Sequence, residues 1–328
     1  MPQKTANSAR TSAATILIPL ALLVVTGSLL GLSTNMAKMA HGAEIPPLAF
    51  LAWPILGAAI ILTGVAGFRA RLPALNARTV EYFLVSALVG VAGPNLIFFS
   101  AVPRVGVSFV ALAIAFPPLL TYAGALFLGM ERFQVWRALG VVLALAGAAV
   151  FAIFKISGNG ADLFWVLATL FGPVLLAIGN IYRTVRWPEG ARPDSLAPGM
   201  LVAAAMMLFL AGTASSQIPD LSLSLPTDYA IPVLLIAAQT AVFSMMYLLF
   251  FILQKRGGPV YLSLLGSVGA IGGIPFAIFL LGEAPPRGLA VGAALTAIGI
   301  GLVTFGGRQR QGASKKPPAG ATVDAPVS

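Results

Sequence analysis

The residues of this chain most able to bind a ligand are polar and aromatic side chains inside long apolar stretches. Ten stand out: Trp53, Asn95, Phe98, Tyr122, Asn180, Gln239, Ser244, Tyr247, Tyr261 and Ser267. A polar group among apolar ones must meet other protein groups or water, so these residues favour a shared, water-filled cavity. Their chemistry is the binding of a small solute through hydrogen bonds and ring contacts. Interhelical hydrogen bonding is the alternative for each polar group, and a place at the membrane interface is the alternative for Trp53 and Tyr261.

Ionisable side chains avoid the middle of these stretches. Glu81, Glu131 and Glu283 lie near their ends, and His41 lies between two of them. A proton-coupled pump usually needs a buried carboxylate or histidine as its relay. We therefore expect facilitated diffusion, exchange, or coupling through a boundary acid, and a neutral or zwitterionic solute. The sequence contains no catalytic constellation, phosphate-binding loop or cysteine, so we predict no enzyme activity, no cofactor and no metal site.

The elements that carry these residues are long enough to cross a membrane. A bilayer core about 30 Å thick needs roughly 20 apolar residues in a helix. Hydrophobic residues make up 58% of the chain and charged residues 9%, which allows many such helices. We predict ten spans: Thr15–Asn35, Leu48–Phe68, Val80–Ala101, Val105–Leu128, Trp136–Phe154, Leu163–Tyr182, Leu196–Ala214, Tyr229–Leu253, Val260–Leu281 and Leu289–Phe305.

The basic residues predict the orientation of these spans. With residues 1–14 placed in the cytoplasm, the outer loops hold only Lys38, Arg104, Lys155 and Arg287 of the twenty Lys and Arg. The other sixteen face the cytoplasm, which is the positive-inside asymmetry and puts both termini there. Residues 307–328 form a predicted disordered cytoplasmic tail. The basic residues favour anionic membrane lipid as a partner, and we expect no nucleic-acid binding.

An internal repeat relates the two halves of the chain. A shift of 152 positions places Leu96, Phe98, Phe99, Arg104 and Gly106 on Leu248, Phe250, Phe251, Arg256 and Gly258. The same shift places Glu131 on Glu283, and Gly140 and Gly147 on Gly292 and Gly299. Each repeat has five spans, an odd number, so the two copies have opposite orientations. Inverted repeats of this kind recur in secondary transporters.

These motifs give the chain a family resemblance. The stretch from Val107 through Pro117-Pro118 to Glu131, followed by Gly140 and Gly147, resembles the drug/metabolite transporter superfamily of the type with two EamA-like repeats. The second copy is carried by Leu281-Gly282-Glu283, Gly292 and Gly299. The resemblance implies an all-α membrane protein with repeats at 15–155 and 163–306. It also implies an exporter by alternating access, as a multi-pass protein of the bacterial inner membrane.

Small residues and prolines indicate packing and bending. Spans 5 and 10 are almost bare of polar groups and rich in glycine, so we expect them to pack within the chain or to form a homodimer seam. We predict hinges at Pro117, Pro118, Gly269, Gly273 and Pro275, since proline removes a helix hydrogen bond. A membrane channel or a non-transporting scaffold is the alternative function. A channel predicts a continuous polar stripe, whereas the polar groups here cluster in mid-span.

Overall fold

The structure, a computed structural model, describes residues 2–73, 75–105, 110, 113–114, 116–153, 163–214, 221–226, 229–281 and 289–306. The predicted tail 307–328, Glu283 and the loop 154–162 lie outside the described residues. A π-helical turn, Leu88–Ala92, joins the third and fourth α-helices. The α-helices are α1 (Pro2–Gly42), α2 (Pro47–Phe68), α3 (Ala77–Ala87), α4 (Gly93–Val105), α5 (Pro117–Phe127), α6 (Val135–Ile153), α7 (Leu163–Val185), α8 (Pro193–Ala214), α9 (Ala230–Ser263), α10 (Leu265–Leu281) and α11 (Leu289–Gly306).

Six stretches of the described helices are long and apolar enough to cross a membrane. They are Leu17–Gly42, Pro47–Phe68, Ala77–Ala101, Leu163–Val185, Pro193–Ala214 and Ala230–Ser263. The other four predicted spans overlap α5, α6, α10 and α11, which are not among the six. The all-helical, multi-pass membrane organisation is thus confirmed, and the count of ten spans stays a prediction.

Local sequence explains where several helices begin and break. Pro47 occupies the first turn of α2, where a missing N–H costs no helix hydrogen bond. Asn76 caps α3 by accepting a hydrogen bond from the Thr79 N–H at 2.9 Å, while the Thr79 hydroxyl accepts one from the Asn76 N–H at 3.0 Å. Gly258 has φ +73°, a conformation that favours glycine, and it breaks α9 one turn before Tyr261.

The largest core cluster joins α2, α3, α8 and α9. Its fully buried members include Leu51 and Ile55 from α2, Met200 from α8, and Phe243 and Phe251 from α9. Alanines on α2 and α8 let these two helices approach closely, because a small side chain brings the backbones together. These four elements form the frame around the central polar residues.

Two further helix pairs depend on glycine. A Cβ at Gly31 of α1 would lie 2.6 Å from the Gly273 Cα of α10, and one at Gly140 of α6 would lie 2.6 Å from the Gly299 carbonyl oxygen of α11. Backbone therefore contacts backbone in both pairs. The glycine face of α6 at Gly140 packs within the chain, which is one of the two uses that the sequence predicts for it.

Candidate functional site

The two central residues Asn95 and Tyr247 meet at the contact between α4 and α9. The Asn95 amide donates to the Tyr247 hydroxyl at 3.4 Å and to the Val91 carbonyl at 2.8 Å. The Tyr247 ring is buried and packs edge-on against Phe243 and Phe250, with centroids 5.6 and 6.2 Å away. The structure thus brings together two predicted site residues that the repeat places at equivalent positions.

A buried cation lies beside this pair, and the sequence analysis did not predict it. Arg183 is 1% exposed, although we placed it at the cytoplasmic boundary. It lies near the end of α7, where side chains tilt back toward the helix N-terminus, so its guanidinium reaches into the helix bundle. It contacts the Phe250 ring, which in turn packs against Tyr247.

Two polar side chains and one aromatic ring hold the guanidinium in place. The Arg183 Nε donates to the Gln254 Oε1 at 3.1 Å, and Nη2 donates to the Asn180 Oδ1 at 2.8 Å. Gln254 also donates to the Thr184 hydroxyl at 3.2 Å. The Phe250 ring covers one face of the guanidinium, with Cζ 4.9 Å from its centroid. Asn180, a predicted site residue, is therefore part of the group that positions Arg183.

The third nitrogen, Nη1, points at glycine. A Cβ at Gly90 in the π-turn would overlap Nη1 and lie 3.0 Å from Cζ, and one at Gly179 would lie 3.1 Å from Nη1. Tyr82 and Ser86 share the Gly90 face, because residues four apart lie on one side of a helix. Both are fully buried, and their hydroxyls interact with each other but have no other hydrogen-bond partner among the described residues. Nη1 has no hydrogen-bond partner among them.

A second polar group lies farther along α9. The fully buried Gln239 donates to the Ser33 hydroxyl of α1 at 2.5 Å, and its Oε1 has no partner among the described residues. Ser244 donates instead to the Thr240 carbonyl of its own helix at 2.7 Å. Ser267 of α10 is fully buried, and its hydroxyl has no partner in the described part of the chain.

The other predicted site residues lie apart from this centre. Phe98 packs on Gly172 of α7, where a Cβ would lie 2.4 Å from the nearest ring atom. The Trp53 indole N–H donates to the Leu223 carbonyl at 3.1 Å, and Trp53 is 37% exposed. The Tyr122 hydroxyl accepts the Gln134 N–H at 3.0 Å, and Tyr261 packs against Gly257. Their roles in binding stay predictions.

The predicted hinge residues fall at two places. Pro117 and Pro118 occupy the first turn of α5 and are buried, so the helix begins there. Gly269 and Gly273 face α1, where the Asn35 amide donates to the Gly273 carbonyl at 2.9 Å. Pro275 lies inside α10 and is exposed. No described contact distinguishes bending from static packing at these positions, so the hinge roles stay predictions.

Ion pairs join the predicted cytoplasmic ends of the central helices. Arg186, which follows α7, donates to both Glu81 carboxylate oxygens of α3 at 3.0 Å, and the Tyr182 hydroxyl also reaches Glu81 at 3.2 Å. This hydrogen bonding raises the pKa of Arg186, so its guanidinium stays charged. Arg71 pairs with Asp194 of α8 at 2.7 Å. These contacts join α3 to α7 and the α2–α3 loop to α8 at that end of the bundle.

The comparisons with known proteins bear on the first half most directly. Residues 17–153 match the model of the EamA-like transporter family. Residues 17–153 are thus similar to membrane transporters of the drug/metabolite type. A solved structure, titled "Crystal structure of protein", covers 89% of this chain and 97% of its own length at TM-score 0.67 and 20% identity, a likeness that shows the fold alone. No curated protein matches the chain.

Proposed function

We propose that this EamA-like chain is a secondary transporter that exports a small neutral or zwitterionic solute by alternating access of two inverted five-helix repeats. The observation that carries the proposal is the pairing of its helices. The 152-residue shift relates α1 to α7, α2 to α8, α3–α4 to α9, α5 to α10 and α6 to α11. If a two-fold axis relates the repeats, each helix contact must occur twice or lie on that axis.

The main helix contacts follow this rule. The contact of α1 with α9 recurs between α7 and α4, and that of α1 with α10 recurs between α7 and α5. The contact of α2 with α9 recurs between α8 and α3. The pairs α2–α8 and α6–α11 each join equivalent helices and are their own counterparts. The Asn95–Tyr247 hydrogen bond likewise joins equivalent residues, 152 positions apart.

Such an arrangement supports a transport cycle. Two similar halves in opposite orientation give two conformations of comparable energy, one open to each side. In the proposed cycle, the Glu81–Arg186 and Arg71–Asp194 pairs close the cytoplasmic side and separate when that side opens. Each pair is partly exposed, so water replaces the lost contacts when the two side chains separate.

The surroundings of the transporter remain part of the proposal. We propose the bacterial inner membrane as its location, with membrane lipid around it and both termini in the cytoplasm. A homodimer through spans 5 and 10 would have to use a face other than that of Gly140, since this glycine contacts α11 in the same chain.

Uptake into inside-out membrane vesicles tests the function. Vesicles with the chain receive a mixed pool of amino acids, amines and nucleobases, with and without a pH gradient, and mass spectrometry measures what accumulates. Export predicts accumulation of one class of compound above vesicles that lack the chain. Tyr247→Ala should reduce it strongly, whereas Tyr229→Ala, at an exposed position of the membrane edge, should not.

The outcomes separate the alternatives. Uptake that only equilibrates the solute, does not saturate with its concentration and shows no exchange would indicate a channel instead. Accumulation by neither the native chain nor its variants, for any compound class, would leave the scaffold as the better description. Equal activity of the Tyr247 and Tyr229 variants would move the site away from α9.

A further inference from the structure

We propose that Arg183 binds the carboxylate of the transported solute through its Nη1 nitrogen, together with the Tyr82 and Ser86 hydroxyls. This inference rests on the proposed transport function and specifies the solute that the site accepts. It narrows the zwitterionic solutes to those with a carboxylate, such as an amino acid, and adds small monocarboxylate anions to the solutes that the site accepts.

The guanidinium of Arg183 is held in a fixed geometry. Nε and Nη2 of Arg183 are engaged by Gln254 and Asn180, and Phe250 covers one face. A guanidinium held in this way loses little further side-chain freedom when it binds an anion. Its remaining donor, Nη1, has no partner within the described structure and is directed to one place, the π-turn at Gly90.

Other donors converge on this place. Tyr82, Ser86 and Gly90 follow one another at four-residue intervals on the face turned to Arg183. Tyr82 is 1% and Ser86 0% exposed, and their hydroxyls interact with each other but have no other partner in the part of the chain that the structure describes. Buried polar groups usually have hydrogen-bond partners, so this pair of hydroxyls and the unpartnered Nη1 on the same side favour a binding function.

A buried cation is costly unless an anion is near, and removal of one member of a buried ion pair is strongly destabilising. Arg183 forms no ion pair with any described acidic residue, and the nearby Glu81 is engaged by Arg186. One carboxylate neutralises one guanidinium, whereas a phosphate dianion would leave an excess negative charge in the bundle.

Residues that surround the cation fit the rest of such a solute. The Tyr247 hydroxyl of α9 and the Asn95 amide of α4 meet where these two helices are in contact, and they supply polar groups for the part of the solute beyond its carboxylate. Phe243 and Phe250 supply apolar ring surface next to Tyr247. A small amphipathic carboxylate therefore meets a cation at one end and amide, hydroxyl and ring groups at the other.

The test uses the purified full chain in lipid nanodiscs. Thermal stabilisation is measured with leucine, phenylalanine and isovalerate, and with the matched amides leucinamide, phenylalaninamide and isovaleramide, which keep the carbon skeleton and lose the carboxylate. At least one acid should stabilise the chain and its amide should bind at least about tenfold more weakly, since hydrogen bonds to charged groups are the stronger ones. Equal effects of acid and amide, or no effect of any acid, would overturn the proposal.

Variants test whether the preference for acids over amides depends on Arg183 and Ser86. Ser86→Ala and Arg183→Gln should each reduce the acid-over-amide ratio, and Arg183→Lys should retain part of it. Thr213→Ser, at an exposed position of α8 where the hydroxyl donates to the Leu210 carbonyl, is the control and should leave the ratio unchanged. If Arg183→Gln does not fold, Ser86→Ala decides, because it keeps the charge. An unchanged ratio in folded Ser86→Ala and Arg183→Gln would refute the assignment, and stabilisation by inorganic phosphate as strong as by the acids would refute the choice of a carboxylate.

The same measurements distinguish this inference from the proposed function. Vesicles that transport amines or neutral solutes while the nanodisc assay shows no preference for acids would support transport and reject the carboxylate site. Binding of acids without any transport in vesicles would support the site and reject the transport cycle.

Discussion

Replacing Gly31 by alanine should separate α1 from α10. A Cβ at Gly31 would lie 2.6 Å from the Gly273 Cα, and carbon atoms in ordinary contact lie about 3.5–4.0 Å apart. The helices must therefore move apart by roughly 1 Å along their closest stretch. Overpacking of this kind costs about 1–3 kcal/mol, and 2 kcal/mol lowers the folded-to-unfolded ratio about thirtyfold.

Gly64→Ala is the matched control for this change. Gly64 also lies within a helix, α2, but no atom lies within 4 Å of its added Cβ. Both variants gain the same helix propensity, so their difference reports the contact alone. Unfolding in mixed dodecyl maltoside–SDS micelles, followed by tryptophan fluorescence, gives the midpoint for each. Coincident midpoints for the two variants would refute the close contact between α1 and α10.

Three further predictions follow from single contacts. Tyr122→Phe should destabilise the chain by about 1 kcal/mol, because the Gln134 N–H loses its acceptor, and a changed solute selectivity at unchanged stability would assign the hydroxyl to the ligand instead. Asn76→Ala should also cost about 1 kcal/mol in the same unfolding assay, through loss of the α3 cap, whereas Asn76→Asp should not; equal losses would contradict the capping role. Glu81→Gln should weaken the ion pair with Arg186 and so open the cytoplasmic side. The chain has no cysteine, so one introduced at Ser86 can be labelled alone, and Glu81→Gln should speed its reaction with a maleimide. An unchanged labelling rate would mean that this ion pair does not control access.

The sequence predicted the class of fold because that information is carried by length and composition. Runs of about 20 apolar residues can only be satisfied by helices in lipid, so the helical membrane organisation followed directly. The 152-residue shift also predicted which residues are equivalent, and Asn95 and Tyr247 lie in contact. Helix bounds were harder to predict: α1 begins at Pro2, upstream of the predicted start at Thr15, since no helix-breaking residue separates the two.

The central cation was not predictable from the same pattern. Arg183 lies one residue beyond the predicted end of its span, where a basic residue normally extends to the membrane surface. Only the direction of its side chain and the space left by Gly90 and Gly179 turn it inward, and both depend on how α7 packs against the π-turn. The pair Asn180 and Arg183, three apart on one helix face, was the available signal.

The π-turn at Leu88–Ala92 determines how α4 is rotated about its axis relative to α3. Its Gly93 N–H bonds the Leu88 carbonyl five residues back, so the turn holds one residue more than an α-helix would. The face that carries Tyr82, Ser86 and Gly90 continues at Asn95, five residues on, rather than four. Deleting a single residue here would keep both helices and rotate α4 by roughly 100°, which takes Asn95 off Tyr247 without touching either side chain.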